Sequence, residues 1–241
     1  MRFFIFSLIM LINFFIFSAH GSDLTEKHFD PFLARAFDRT SFFLYATGTA
    51  SVLLTKPSDD RIREQWVSHQ QMSEKQSHVG DLLGSGLAGI FLVGGQALWD
   101  EDQDHYQSHA RALIYTTVST YTLKTVFGRQ RPGNSDSHQS FPSGHTSTAF
   151  ATATSLTYAY GWKAALVAYP VAAFVGLSRL ADDAHWASDL VGGAFLGFIM
   201  ARASNYEWSD SENKILNSNT QFILNPIIHG DELGMTVTYI Y

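Results

Sequence analysis

Between Val79 and Ala203 the chain is a succession of helix-length stretches. They run Val79–Trp99, His105–Phe127, His145–Tyr160, Trp162–Leu177 and Ala187–Ala203, each rich in small and aliphatic residues. Such stretches bury their apolar faces only against one another, which predicts an all-α bundle. Residues 24–56 add a further helical stretch, apolar from Phe42 to Leu54, so the bundle is expected to hold about six helices. A polar connector with one amphipathic stretch, Ile62–Val67, fills residues 57–78. An acidic turn, Asp100–Asp104, and a loop rich in Gly, Pro, Ser and Asn, Gly128–Gly144, separate the later helices. The apolar helices Val79–Trp99 and Ala164–Leu177 read as helices buried all round rather than as membrane spans, because polar groups flank or interrupt both.

The two ends have a different character. Residues 1–21 read as a secretory signal: Arg2, an apolar run from Phe3 to Phe17, then Ala19 and Gly21 before a cleavage point. Export to the periplasm, or to the periplasm-facing side of a Gram-negative envelope, is the expected destination. Residues 22–78 then form an N-terminal helical segment with its connector, 79–203 the central unit, and 204–220 a polar linker. Over residues 221–241, Gln221–His229, the turn Gly230–Gly234 and Met235–Tyr241, whose side chains alternate, read as strand, turn and strand, which predicts a small C-terminal β-hairpin.

Composition removes several classes. Of 241 residues, 46% are hydrophobic and 16% charged, enough for a core and too little charge for a disordered chain. The net charge of −6 lacks the basic surplus of a nucleic-acid binder. The absence of cysteine excludes disulfides, Cys-based zinc sites and a Cys nucleophile.

Three polar clusters interrupt the apolar helices. Lys124 stands at a helix end, followed by Arg131-Pro132. Phe141-Pro142-Ser143-Gly144-His145 opens the next helix, where free backbone N–H groups favour an anion. Ser178-Arg179 precedes His185 and Asp189, whose spacing of four puts both on one face of a helix. An Asp that fixes one imidazole tautomer leaves the other ring nitrogen as a nucleophile or base. Three cations, helix-end N–H groups and two histidines suit in-line attack on a phosphate, a reaction that depends on positioning and charge neutralisation.

The pattern Lys-x6-Arg-Pro, Pro-Ser-Gly-His, Ser-Arg-x5-His-x3-Asp resembles the signature of the type-2 phosphatidic acid phosphatase and vanadium haloperoxidase superfamily. All three motifs occur in order within residues 79–203. The resemblance implies a phosphatidic-acid-phosphatase-like helical bundle and phosphoester hydrolysis through a phosphohistidine, with no metal and no cofactor. His185 matches the family nucleophile, Asp189 its orienting carboxylate and His145 the general acid. Lys124, Arg131 and Arg179 match the phosphate ligands, with Ser143 and the Gly144 N–H completing the cradle. The implied partner is a phosphorylated lipid or small phosphate ester, with membrane association and self-association left open. A vanadate-dependent haloperoxidase and an inactive envelope scaffold are the alternatives.

Four residues lie outside the signature. Asp182 and Asp183 are expected to cap the helix bearing His185 rather than to repel substrate. Arg129 is read equally as a surface charge and as an extra phosphate contact. His138 is read as a solvated loop histidine.

Overall fold

In a computed structural model the described residues are 29–133 and 135–205, together with the backbone of 221–229 and 232–240. The signal-sequence reading of residues 1–21 and the linker reading of 206–220 lie outside them. Contacts divide the chain into two units, one ending at Asn205 and one beginning at Tyr206.

The first unit is all-α, as the sequence predicts, but holds nine α-helices among the described residues rather than about six. They are α1 (Asp30–Ala36), α2 (Arg39–Thr55), α3 (Asp59–Ser68), α4 (Glu74–Gly84), α5 (Leu87–Trp99), α6 (Gln103–Phe127), α7 (Gly144–Tyr160), α8 (Trp162–Ala181) and α9 (Ala187–Ser204). The extra helices come from breaks that short polar residues create. Asp38 stops α1 and caps α2, its side chain accepting from the Ser41 N–H at 2.6 Å. The connector expected over 57–78 holds α3 and the start of α4, the latter opened by a capping box of Ser73 and Gln76. The stretch Val79–Trp99 is not one helix. Gly86 adopts a left-handed φ of 88°, and α4 and α5 meet at a bend of 51°. Gly128, at φ 52°, ends α6 in the same way.

Helix α9 is the centre of the unit, packing on α7, α6, α2 and α1. Its approach to α7 depends on glycine. A Cβ at Gly197 would stand 2.1 Å from the Ser147 carbonyl oxygen, and one at Gly193 2.7 Å from that of Ser143. Small residues continue the seam, with Ala112, Ala151 and Ala201 fully buried, while Phe32, Leu196, Ile199 and Met200 form the larger apolar cluster. Arg202 ties the far end of α9 to α2 through Asp38, Nη2 to Oδ2 at 2.7 Å.

The outer helices correct the expectation of all-round burial. Phe91, Leu98 and Trp99 on α5, and Trp162, Leu166 and Val167 on α8, are each about two-thirds exposed or more. Phe43 and Leu54 on α2 are exposed to the same degree, and Ile114, Val118 and Tyr121 on α6 are also open. Helix α8 is long and apolar enough to cross a membrane, and α4 with α5 would be so as one bent pair. The large apolar residues at these positions therefore face outward, while Gln96 on α5 and Ser178 and Arg179 on α8 lie on the inner face.

The second unit is a pair of antiparallel strands, β1 (Gln221–His229) and β2 (Glu232–Ile240). Gln221 stands opposite Ile240, and His229 opposite Glu232.

Candidate active site

The three clusters meet where α6 ends and α7 and α9 begin. Lys124 occupies the last turn of α6 and is 7% exposed, its Nζ donating to the Gln139 carbonyl. The following loop is folded back on itself: the Ser140 N–H donates to Arg129 O at 2.9 Å and the Arg131 N–H to Ser137 O at 3.0 Å. This return brings Arg131 beside Lys124. Ser143 caps α7, and its own N–H donates to Asp189 O at 3.1 Å, which locks the start of α7 to the start of α9.

Lys124, Arg131, Gly144, His145 and His185 line one cleft of about 340 Å³. The cleft continues along Ile90, Leu113, Thr117 and Tyr121 between α5 and α6. Arg131 Nε is buried without a hydrogen-bond partner among the described residues, as suits a guanidinium that faces an anion. Ser143, Asp189 and Arg179 lie behind this lining. The Ser143 hydroxyl is fully buried and engaged by Thr146, at 3.0 Å from its Oγ1 and 3.5 Å from its N–H.

His185 and Asp189 do not share a helical face. His185 sits on the turn before α9, and Asp189 in the first turn reaches back toward it. His185 Nδ1 lies 3.6 Å from Asp189 Oδ2, just beyond hydrogen-bond length, which leaves Nε2 as the ring nitrogen away from the carboxylate. Asp189 is fixed from every side: Ser140 Oγ donates to Oδ2 at 2.5 Å, the Trp186 N–H to Oδ2 at 3.0 Å and Arg129 Nη1 to Oδ1 at 2.6 Å. Its own burial opposes ionisation, but these bonds and Arg129 outweigh it and hold its pKa below the usual value. Burial brings the His185 pKa down to about 4, with Lys124 and Arg131 pushing the same way against Asp189, so the imidazole is neutral near pH 7. Burial likewise lowers Lys124 to about 8, helped by Arg131 and opposed by Asp189.

A residue that the motifs do not contain completes the cluster. Asp81, on α4, places Oδ1 2.5 Å from Arg179 Nη1 and 3.0 Å from His145 Nε2. Nothing local in the sequence marks it, since 64 or more residues separate it from both partners. Burial lowers the His145 pKa first, Arg179 and Arg131 add to this, and Asp81 opposes it. Arg179 is also held by Asp182 at 2.8 Å and by the Ser77 carbonyl at 3.2 Å.

Three of the readings outside the signature, those of Asp182, Asp183 and Arg129, are corrected. Asp182 and Asp183 do not cap the helix after His185. Asp182 pairs with Arg179, and Asp183 takes a two-pronged bond from Arg63, both prongs 2.6 Å. Arg129 is neither a free surface charge nor a lining residue of the cleft; it binds Asp189, Ser188 and Asp59. His138 is an exposed loop histidine 3.0 Å from the Asp136 carbonyl.

Residues 107–211 match the family model described as the PAP2 superfamily. Its relatives are specific in kind. A protein of Porphyromonas gingivalis described as lipid A 1-phosphatase is 44% identical over 159 residues, 63% of this chain and 35% of that protein. The chain thus spans about a third of that relative's length. Among solved structures, LpxE of Aquifex aeolicus aligns over 61% of this chain and 93% of its own, at 23% identity and TM-score 0.54. A transmembrane PAP2 type phosphatidylglycerolphosphate phosphatase from Bacillus subtilis aligns over 72% and 96%, at 17% identity and TM-score 0.50. Both share the helical fold with the first unit.

Proposed function

We propose that the chain is a phosphoric ester hydrolase acting on a phosphorylated lipid. The observation that carries this reading is the convergence of Lys124, Arg131, Gly144, His145 and His185 on one cleft with an apolar extension. The P. gingivalis relative is described as a lipid A phosphatase, which supports a lipid phosphate as the substrate class.

The chemistry follows from the groups present. The phosphate enters beside Lys124 and Arg131 and displaces the Asp81 carboxylate, itself about half exposed, from Arg179 and His145. A phosphate oxygen takes over the position between a guanidinium and an imidazole that Asp81 Oδ1 holds. The dianion raises the proton affinity of His145, which then bears the proton near the leaving oxygen. Neutral His185 attacks phosphorus through Nε2, the P–O bond to the leaving group breaks, and His145 donates its proton to that oxygen. Asp189 stabilises the positive charge that develops on the His185 ring. In the second half, His145 takes a proton from water, water oxygen bonds to phosphorus, and the P–N bond breaks to release phosphate and free His185. Lys124, Arg131 and Arg179 neutralise the equatorial oxygens, which is the work a divalent ion does elsewhere.

The apolar exteriors of α5, α6 and α8 support a setting at a lipid surface. Residues 1–21, read as a signal, support a site on the periplasmic side, with 79–203 as the catalytic part of the chain.

The test compares a phosphorylated lipid with a soluble aryl phosphate, in chelator, with and without vanadate. Chelator-resistant, vanadate-sensitive release from the lipid is expected. His145→Ala should spare aryl esters more than alkyl esters, because a good leaving group needs less protonation. Full dependence on an added divalent ion, or equal losses for both esters, contradicts the proposal.

A further inference from the structure

Arg129 faces away from the cleft and binds three residues at once. Nη1 donates to Asp189 Oδ1 at 2.6 Å and to Ser188 Oγ at 2.7 Å, while Nη2 donates to Asp59 Oδ2 at 2.7 Å. The guanidinium lies 5.5 Å from the Trp186 ring centroid. Asp59, the first residue of α3, is 4% exposed and bonds onward to the same helix start. Its Oδ1 accepts from the Ser188 N–H at 2.9 Å and its Oδ2 from the Ser188 hydroxyl at 2.6 Å. The network is closed, running from Asp59 through Arg129 and Ser188 to Asp189.

Its charge and geometry bear on His185. A carboxylate with no solvent access, as Asp189 is, needs strong partners to stay ionised and fixed. A lone guanidinium at 2.6 Å would meet that need but would also cancel the charge that Asp189 offers the imidazole. Here the guanidinium is shared with a second buried carboxylate. The set of two Asp and one Arg keeps a net charge of −1, and His185 is the titratable neighbour of Asp189 on the cleft side. The fork also fixes the direction of Asp189: with Oδ1 taken by Arg129, it is Oδ2 that is turned to His185 Nδ1.

We propose that Asp59 and Arg129 are positioning residues for the nucleophile, holding Asp189 charged and aimed at His185 without touching substrate. This rests on the reading of His185 as the nucleophile. It also gives the N-terminal segment, which contributes nothing to the cleft lining, a part in the reaction: α3 is anchored directly to the start of α9.

The experiment uses the full chain with Arg129→Lys and Asp59→Asn. An ammonium keeps the charge but cannot reach Asp59, Ser188 and Asp189 together. The amide keeps the size of Asp59 and removes its charge. Both are assayed on an aryl phosphate well below their melting temperatures, with inorganic phosphate as a competitive probe and rapid quenching to trap labelled phosphoenzyme. The expected result is a kcat lowered about tenfold or more in each, the scale of one coupling in a shared polar network, with KM and phosphate inhibition within about twofold of wild type. Phosphoenzyme formation should slow in step with kcat. Unchanged kcat in a folded variant overturns the proposal. So does phosphate inhibition weakened about tenfold, because Arg129 would then be a phosphate ligand. If Arg129→Lys does not fold, the Asp59→Asn result decides alone. Wild type and His185→Ala run alongside: absence of a His185-dependent label overturns the assignment of the nucleophile and this proposal with it. A labelled wild type with unaffected variants overturns this proposal only.

Discussion

Gly197→Ala is the sharpest probe of how the bundle sets the site. The added Cβ would stand 2.1 Å from the Ser147 carbonyl oxygen and 2.9 Å from the Ala151 nitrogen. Ordinary contact begins near 3.4 Å, so α9 and α7 must separate by about 1.3 Å at this level. Both obstructing atoms are backbone, so no side chain can rotate aside. Overpacking of this kind costs about 1–3 kcal/mol, and the rigidity of the case argues for the upper end. Alanine returns about 1 kcal/mol of helix propensity, leaving a net loss of about 2 kcal/mol. For a unit of this size that is a melting temperature lower by about 4–8 °C. Catalysis should suffer more. Asp189 lies two turns away on the same helix, and its carbonyl accepts from the Ser143 N–H, so the displacement reaches the alignment of His185 with His145. A misplacement of about 1 Å costs about a hundredfold in rate. The assay is thermal melting in detergent together with kcat on an aryl phosphate. Gly94→Ala serves as the control, because nothing lies within 4 Å of its added Cβ, and it should stabilise by about 0.4–1 kcal/mol. A Gly197→Ala protein that melts within about a degree of wild type and turns over at the wild-type rate refutes the reasoning.

Two further outcomes follow from the charges of the cleft. The profile of kcat/KM against pH should fall on the acid side as His185, with a pKa of about 4, gains a proton and stops being a nucleophile. It should fall on the alkaline side as Lys124, at about 8, loses the charge that holds phosphate. Lys124→Arg keeps the charge at every accessible pH, so an alkaline limb that persists in that variant refutes the assignment. Asp81→Asn removes the carboxylate that competes with phosphate for Arg179 and His145. KM should fall about threefold or more with kcat within about twofold of wild type, because the carboxylate has already left His145 when the phosphate is bound, and steady-state kinetics on the aryl ester separates the two. A raised KM contradicts displacement of Asp81 by substrate.

The parts of the site legible in the sequence are those whose chemistry is local. Ser143, a helix-capping residue before Gly144 and His145, announces the start of α7, and Gly128 with Pro132 announces the loop that returns Arg131 to Lys124. Asp81, Asp59 and the destination of Arg129 are not legible, because each bond joins residues 59 or more positions apart and no local pattern encodes such a pairing. The break at Gly86 has a local signal, since Gly84-Ser85-Gly86 is a turn sequence. The apolar character on both sides of it masks that signal by favouring one continuous helix. The outward faces of α5 and α8 are not legible for a related reason. A helix apolar all round has no periodicity to tell an enclosed face from an open one.

The Asp189 carboxylate takes the Trp186 N–H at 3.0 Å, and that bond closes the first turn of α9. The group that seals the end of the helix is therefore the same group that faces His185. Fraying of this one turn uncouples the histidine while the rest of the bundle stays folded, so inactivation on warming should precede the global transition. Hydrogen–deuterium exchange at the Trp186 amide would then count, molecule by molecule, the fraction of the population whose site is assembled.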